Sequence, residues 1–271
     1  MPIRDDSQRA ASVAERVAVE AGELVMKGWR TGAEISRKGR FDLLTEYDLA
    51  SESLIRERLC AEFPTHRIVG EENAESGEGE LVWYVDPIDG TTNFAHGHFF
   101  FGVSIALYRG SEGLAGVVHA PALNVTWTAV KGGGAFRNGE RCAVSTRDQL
   151  EEAVCATGFP YDRWTNPDNN HAELALFLQR ARGIRRCGAA SIDLCLVGDG
   201  TYDIYWEQGL NAWDMCAGAL IVLEAGGQLS SYEGNTADPR TGKLIASNGV
   251  LHDVAVRTIR EARNKLRPNG S

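Results

Sequence analysis

Two carboxylates, Asp86 and Asp89, stand three residues apart in the stretch Trp83-Tyr84-Val85-Asp86-Pro87-Ile88-Asp89-Gly90-Thr91-Thr92-Asn93-Phe94. The run Leu81 to Val85 is apolar, with β-branched and aromatic members, and predicts a buried strand that ends at Asp86. Pro87 fixes its own φ and holds Asp86 extended. Two acids at the mouth of a strand, separated by a rigid turn, can share one hard cation or clamp two. Gly90 lets a ligand approach the backbone, and Thr91, Thr92 and Asn93 are cap-type residues for a following helical turn. The free N–H groups of such a turn favour an anion. Carboxylates beside anion-binding amides suit a phosphate bridged to the protein by Mg²⁺. The same Asp-Pro-x-Asp-Gly order also makes an ordinary surface turn.

Further acids fall at the ends of predicted elements. Glu71 and Glu72 follow a short strand, Arg67 to Gly70, although adjacent acids are as readily a solvated loop. Asp48 lies where a second helix opens, and either Thr45 or Asp48 suits its cap; a functional Asp48 would have to face Asp86. Asp214 opens an almost wholly apolar helix, where a first-turn acid also complements the helix dipole. Glu207 ends the predicted strand Tyr202 to Trp206, so two acids flank one strand-to-helix loop, as at the rim of a site.

The chain that must position these groups has 271 residues, which suits two coupled domains. A hydrophobic content of 43% and a charged content of 24% are those of a soluble globular protein. With a net charge of −9 and no long basic block, nucleic acid is not expected as the main ligand. An acidic protein that handles a phosphate ester needs cations to bring it in. The six cysteines are far apart with no C-x-x-C pair, and read as small buried residues. No apolar leader and no run of membrane-spanning length is present, so a cytoplasmic location without a membrane is expected.

In chain order, Asp5 or Ser7 caps a helix to about Lys27, with Val13, Val17, Ala21, Leu24 and Val25 as its stripe. Thr31 to Phe41 is a loop or hairpin, and Asp42 to Asp48 opens a helix through about Cys60. Strands follow at Phe99 to Tyr108, Leu114 to Ala120 and Asn124 to Val130. The glycine-rich run Lys131 to Glu140 lacks a following Gly-Lys-Ser/Thr, and its Asn138-Gly139 is a hairpin turn. This half, residues 1–147, is two helices on an antiparallel sheet. The half 148–271 alternates: strand Ala153 to Thr157, helix Pro167 to Arg182, strand Ile184 to Cys187, helix Ala190 to Val197 and strand Tyr202 to Trp206. Then come helix Trp213 to Ala225, the segment Gln228 to Tyr232, strand Leu244 to Ala246 and a last helix from about Val250.

Gly70-Glu71-Glu72, Asp86 to Phe94, and Trp213-Asp214 with Ala217-Gly218 closely resemble the inositol monophosphatase family of magnesium-dependent, lithium-sensitive phosphatases. Asp42 to Asp48, Gly188-Ala189-Ala190 and Glu207 fall in matching order, so the resemblance spans essentially the whole chain. It implies an α+β fold, a layered αβαβα sandwich with an antiparallel and a mixed sheet. It also implies that Glu71, Asp86 and the Ile88 carbonyl hold a first Mg²⁺, that Asp86, Asp89 and Asp214 hold a second, and that a weaker third sits near Glu71. Thr91 and Asp48 would orient and deprotonate the attacking water, with Glu71 assisting. The amides of Gly90 and Thr91 would take phosphate oxygens, while Asp89, Ala190, Glu207 and Asp214 would contact the substrate.

Where family members usually carry proline the chain has Phe99, which would alter packing beside the site or at a dimer contact. Asn211 and Ala212 sit where the family varies, beside the leaving group. His96 and His98 match no catalytic position. The expected reaction is hydrolysis of inositol 1-phosphate or a similar polyol monophosphate by a homodimer. The alternatives are the same chemistry on histidinol phosphate, fructose 1,6-bisphosphate or a 3′-phosphonucleotide, and a macromolecule-binding role that could coexist with activity.

Overall fold

The computed structural model describes residues 2–32, 35–37, 39 and 43–266. Helix α1 (Pro2–Gly28) buries Ala10, Ala14, Val17, Ala21 and Val25 along one face. It begins at Pro2, so Asp5 and Ser7 lie inside it rather than at its cap; proline at the first helical position forfeits no intrahelical bond. Strands β1 (Ile35–Arg37) and β2 (Leu43–Thr45) pair antiparallel, a hairpin whose second strand lies beyond the expected loop or hairpin at Thr31 to Phe41, where the second helix was expected to open. Phe41 and Asp42 lie outside the described residues. Helix α2 (Glu46–Glu62) therefore starts later than expected, capped by Thr45.

Strands β3 (Arg67–Gly70) and β4 (Leu81–Asp89) are followed by the short helix α3 (Thr91–Ala95). Then come β5 (Gly102–Arg109), β6 (Glu112–Ala120), β7 (Val125–Val130), β8 (Gly134–Arg137) and β9 (Glu140–Cys142). In this seven-stranded sheet the strands lie in sequence order, antiparallel except for the parallel β3–β4 pair. Asn138 and Gly139 both take positive φ between β8 and β9, so the glycine-rich run is the structural turn expected. β5 begins at Gly102 rather than Phe99. Phe100 and Phe101 are buried in the preceding loop, and Phe99 is exposed.

The second half runs β10 (Val154–Thr157), α4 (His171–Leu178), β11 (Gly183–Arg185), α5 (Ala190–Gly198) and β12 (Ile204–Gln208). It continues with α6 (Ala212–Glu224), β13 (Gln228–Ser230), β14 (Lys243–Ser247) and α7 (His252–Leu266). Its five strands lie in the order β11-β10-β12-β14-β13, the first three mutually parallel and the others antiparallel. Helix α4 starts four residues later than Pro167 because the intervening side chains are taken by tertiary hydrogen bonds. Asn170, with φ 68°, receives the indole N–H of Trp206 and donates to Thr157 and the Gly158 carbonyl. Glu207 lies within β12, not beyond its end.

Five layers result, the αβαβα order expected. On one face of the larger sheet Val103, Ile105 and Leu107 pack with α1 and α2, and on the other Ala106 and Tyr108 pack with α5 and α6. β5 is thus apolar on both faces, since each alternate set enters a different core. The smaller sheet packs Tyr205, Leu244 and Ala246 against α5 and α6, and Trp206, Ile204 and Ile245 against α4 and α7. The expected boundary at 147/148 falls between β9 and β10, yet α5 and α6 of the second half cover one face of the first half's sheet. All six cysteines are free thiols, with Cys155, Cys195 and Cys216 buried and Cys60 exposed. Among the described residues no helix is long and apolar enough to cross a membrane.

Candidate active site

The strand β4 does not stop at Asp86. Asp86 pairs with Ser104 and Asp89 with Gly102, so three steps on β4 oppose two on β5. The extra residue is a β-bulge. In a regular strand residues an odd number apart point to opposite faces, and the bulge turns both acids to the same side. There they meet Asp214 from α6, with carboxylate oxygens of all three lying within 4.8 Å of one another. They line a cavity of about 430 Å³ that also takes in Glu71, Ile88, Gly90, Thr91, Ala190 and Glu207. Every site residue expected from the sequence borders it except Asp48, which stands behind Thr91.

Each side chain is held by a local device. Asp86 accepts the Ile88 N–H at 3.0 Å. Asp89 accepts the N–H of Ser191 at 2.7 Å, its hydroxyl at 2.5 Å and the Ala190 N–H at 3.2 Å. It thereby caps α5 from more than a hundred residues away and locks the two halves together across the cavity. Ala190, expected to contact substrate, lines the cavity, and its N–H is used in this cap. Asp214 forms a capping box with Asn211, whose N–H it accepts at 2.6 Å. Ser104 ties the start of α6 to β5 by donating to the Trp213 carbonyl at 3.0 Å.

Asp48 completes the capping box of α2 and also reaches Thr91 at the cavity. One carboxylate oxygen accepts the Thr45 N–H at 2.7 Å and hydroxyl at 2.5 Å, and the other lies 3.1 Å from the Thr91 hydroxyl. That hydroxyl also lies 3.0 Å from the Ile88 carbonyl. The cap of α3 is Gly90 rather than a threonine. Its φ is +93°, and a Cβ there would lie 3.0 Å from the Phe100 carbonyl and 3.2 Å from that of Gly188. Asn93 fastens the same turn by donating to the Phe100 and Cys187 carbonyls at 2.6 and 2.8 Å.

The electrostatics show a deficit of positive charge. Burial lifts the Asp86 carboxyl well above its ordinary range, and Glu71, Asp89 and Asp214 push it further. Asp214 is raised by burial and then by Asp89 and Glu71. Burial takes Asp89 to about 6, against the lowering effect of its bonds from Ser191 and Ala190. Buried like charges at this spacing call for a cation, and the cluster contains neither His nor Cys. An all-oxygen donor set fits Mg²⁺.

Glu207 is buried beside Gly158, where a Cβ would come within 2.1 Å of each carboxylate oxygen. Burial lifts it to about 7, although Tyr205 donates its hydroxyl at 2.6 Å and Arg186 opposes the rise. The cavity wall further includes Phe159, Tyr161, Arg163 and Arg186, none of which stood out in the sequence. Ser191 was missed as well, although it directly follows Gly188-Ala189-Ala190. His96 and His98 do not line the cavity; His98 accepts the Phe100 N–H at 3.2 Å and stacks on Phe99.

The model of the inositol monophosphatase family matches residues 6–264. The chain is 39% identical over 250 residues to inositol-1-monophosphatase of Synechocystis sp., covering 91% of this chain and 87% of that protein. It is 42% identical over 261 residues to the protein named Nus factor SuhB of Pseudomonas aeruginosa, covering 93% and 96% respectively. The solved inositol monophosphatase of Anabaena superposes with a TM-score of 0.86 at 34% identity, covering 94% of this chain and 96% of that one. The chain belongs to the inositol monophosphatase family.

Proposed function

We propose that the protein is a Mg²⁺-dependent phosphomonoesterase acting on inositol 1-phosphate or a closely similar polyol monophosphate. The observation that carries this is the convergence of Asp86, Asp89 and Asp214 from β4 and α6 beside the Thr91–Asp48 pair. Glu71, Asp86, the Ile88 carbonyl, Asp89 and Asp214 would hold two to three Mg²⁺ ions. Bound there, the metal lowers the pKa of water and offsets charge on the phosphate.

The chain's own groups do the rest. The Thr91 hydroxyl donates to Asp48, so its oxygen accepts a hydrogen of the attacking water. As the water oxygen bonds to phosphorus and the bond from phosphorus to the alcohol oxygen breaks, the water proton passes to the Thr91 oxygen and the threonine proton to Asp48, while the leaving alkoxide takes a proton from a solvent water. Glu71 assists by orienting the same water. The Gly90 and Thr91 amides hold phosphate oxygens, while Asp89, Glu207, Asp214 and the backbone at Ala190 orient the alcohol. A cytoplasmic homodimer sensitive to Li⁺ completes the proposal; unchanged turnover in millimolar Li⁺ at saturating substrate would remove the last part.

The test is phosphate release from inositol 1-phosphate and histidinol phosphate in parallel, with Mg²⁺ and then with a chelator, and with Asp89→Asn as control. Mg²⁺-dependent release that favours the inositol ester and is lost in Asp89→Asn is expected. Preference for histidinol phosphate would move the substrate and leave the catalytic roles intact. No release from either, with the variant indistinguishable from wild type, would sink the reaction.

A further inference from the structure

Helix α2 carries a carboxylate that the proposed chemistry does not use. Glu52 is fully buried, one turn past Asp48 on the same face of the helix. One of its oxygens accepts the Glu72 N–H at 2.7 Å. The other accepts the Asn73 N–H at 3.1 Å, the Asn73 side-chain amide at 3.2 Å and the Arg56 guanidinium at 2.7 Å. Arg56 in turn donates to the Asn73 carbonyl at 3.1 Å and to the Ser76 hydroxyl at 3.0 Å. Gly70 leaves the space for this arrangement, since a Cβ there would lie 2.4 Å from one Glu52 oxygen and 2.7 Å from the other. Between Gly70 and Glu72 stands Glu71, which borders the cavity. Its N-terminal side is fixed by the pairing of Gly70 with Val85 in β4, and beyond it the loop folds back to close a bridge between Ile68 and Ser76.

A buried carboxylate is costly unless hydrogen-bond donors replace its water, and the donors to Glu52 come chiefly from two consecutive residues of one loop. We propose that Glu52 is a positioning residue for the metal centre: it holds the backbone on the C-terminal side of Glu71, so that the Glu71 carboxylate meets Mg²⁺ beside Asp86. The inference rests on the metal-ligand role proposed above for Glu71. Glu52 does not border the cavity, so it acts through Glu71 and not on the ion. A ligand on a fixed loop binds its ion without first being ordered, and the clasp therefore acts on Mg²⁺ affinity rather than on the attack at phosphorus. One helix face thus serves two parts of the site, because Asp48 reaches Thr91 while Glu52 reaches the loop that carries Glu71.

The test titrates Mg²⁺ into the full chain as wild type, Glu52→Gln, Glu71→Gln and the double variant, by calorimetry without substrate and by turnover at saturating inositol 1-phosphate. Glu52→Gln keeps the length of the side chain and loses one acceptor oxygen. It should weaken Mg²⁺ binding about tenfold, the usual effect of removing an outer partner of a metal ligand, and raise the half-activating Mg²⁺ concentration to match. At saturating Mg²⁺ its kcat should change less than about threefold. In the Glu71→Gln background the same substitution should change Mg²⁺ affinity less than about twofold, because its effect runs through Glu71. A full loss in that background as well would overturn the proposal, since Glu52 would then act on the fold as a whole. Weakening by Glu71→Gln with none by Glu52→Gln would overturn it and leave Glu71 a metal ligand. No weakening by either would remove Glu71 from the metal centre, and the proposal with it. The expected binding pattern without turnover of the ester would uphold the clasp and reject the hydrolysis. Should Glu52→Gln not fold, Arg56→Gln breaks the outer half of the clasp: Mg²⁺ binding weaker by about threefold is expected, and wild-type affinity would overturn the proposal.

Discussion

Two clusters of acids in this molecule have opposite electrostatic fates. Beneath α7, Asp168 receives both arms of the Arg263 guanidinium at 2.7 Å, the Gln208 amide at 2.7 Å and, more distantly, Lys243. Arg263 also meets the buried Glu173 at 2.9 Å. Burial raises Asp168, yet these donors bring it down to about 2. Across the smaller sheet, Asp86, Asp89 and Asp214 have hydroxyl and N–H donors but, among the described residues, no salt bridge, and all three are raised. One cluster is closed by the chain itself and stabilises the fold. The other is left open, and its energetic cost is the capacity to take a cation.

The largest effect should come from Asp86, which faces all the other acids. Asp86→Asn should lower kcat by about 10³-fold or more. In chelator the same variant should melt at a higher temperature than wild type, since a repelling charge is gone. A lower Tm in chelator would show that the open cluster does not carry the strain described. Mg²⁺ should raise the wild-type Tm by mass action and raise the variant's less.

At the closed cluster the signs reverse. Arg263→Ala leaves the buried Glu173 without its cation and Asp168 with only Gln208 and the more distant Lys243, and should cost about 3 kcal/mol in urea unfolding, at the low end because Asp168 keeps solvent. Its kcat should stay near wild type. A large loss of kcat with intact stability would mean that the two clusters are coupled.

The finest discrimination is by pH. Glu207 has its folded pKa raised to about 7 from 4.5, so the folded state holds its proton where the unfolded chain has lost it. That contribution is complete below about 4.5 and is lost as pH rises towards 7, and Glu207→Gln should remove this slope from the metal-free protein. Asp168 behaves oppositely. Its contribution is present above 3.8 and is lost as pH falls towards 2, so Asp168→Asn should flatten acid unfolding in that window. Identical slopes in wild type and Glu207→Gln would refute the assignment for the open site.

Much of the fold was legible along the chain. The stripe of α1, the apolar β6 and β7, the Asn138-Gly139 turn, and the helices α5 and α6 all follow from local period and turn chemistry. The errors came where a distant partner decided. Asn170 delays the start of α4 because Trp206 and Gly158 use its side chain. Phe99 to Phe101 read as strand, yet β4 pairs only from Gly102 onward. Ser191 was invisible because its partner, Asp89, lies 102 residues away.

By itself the sequence determined which chemistry was possible: oxygen donors in quantity, a glycine where backbone must approach a ligand, and no His or Cys set for another metal. Only the tertiary structure decided that these groups form one site. Residue types and spacing act locally, but the side on which a side chain emerges depends on strand register, and the bulge between Asp86 and Asp89 exists only where β4 meets β5. Likewise Glu52 is one acid among many until Gly70 opens the space in which the loop after Glu71 closes on it.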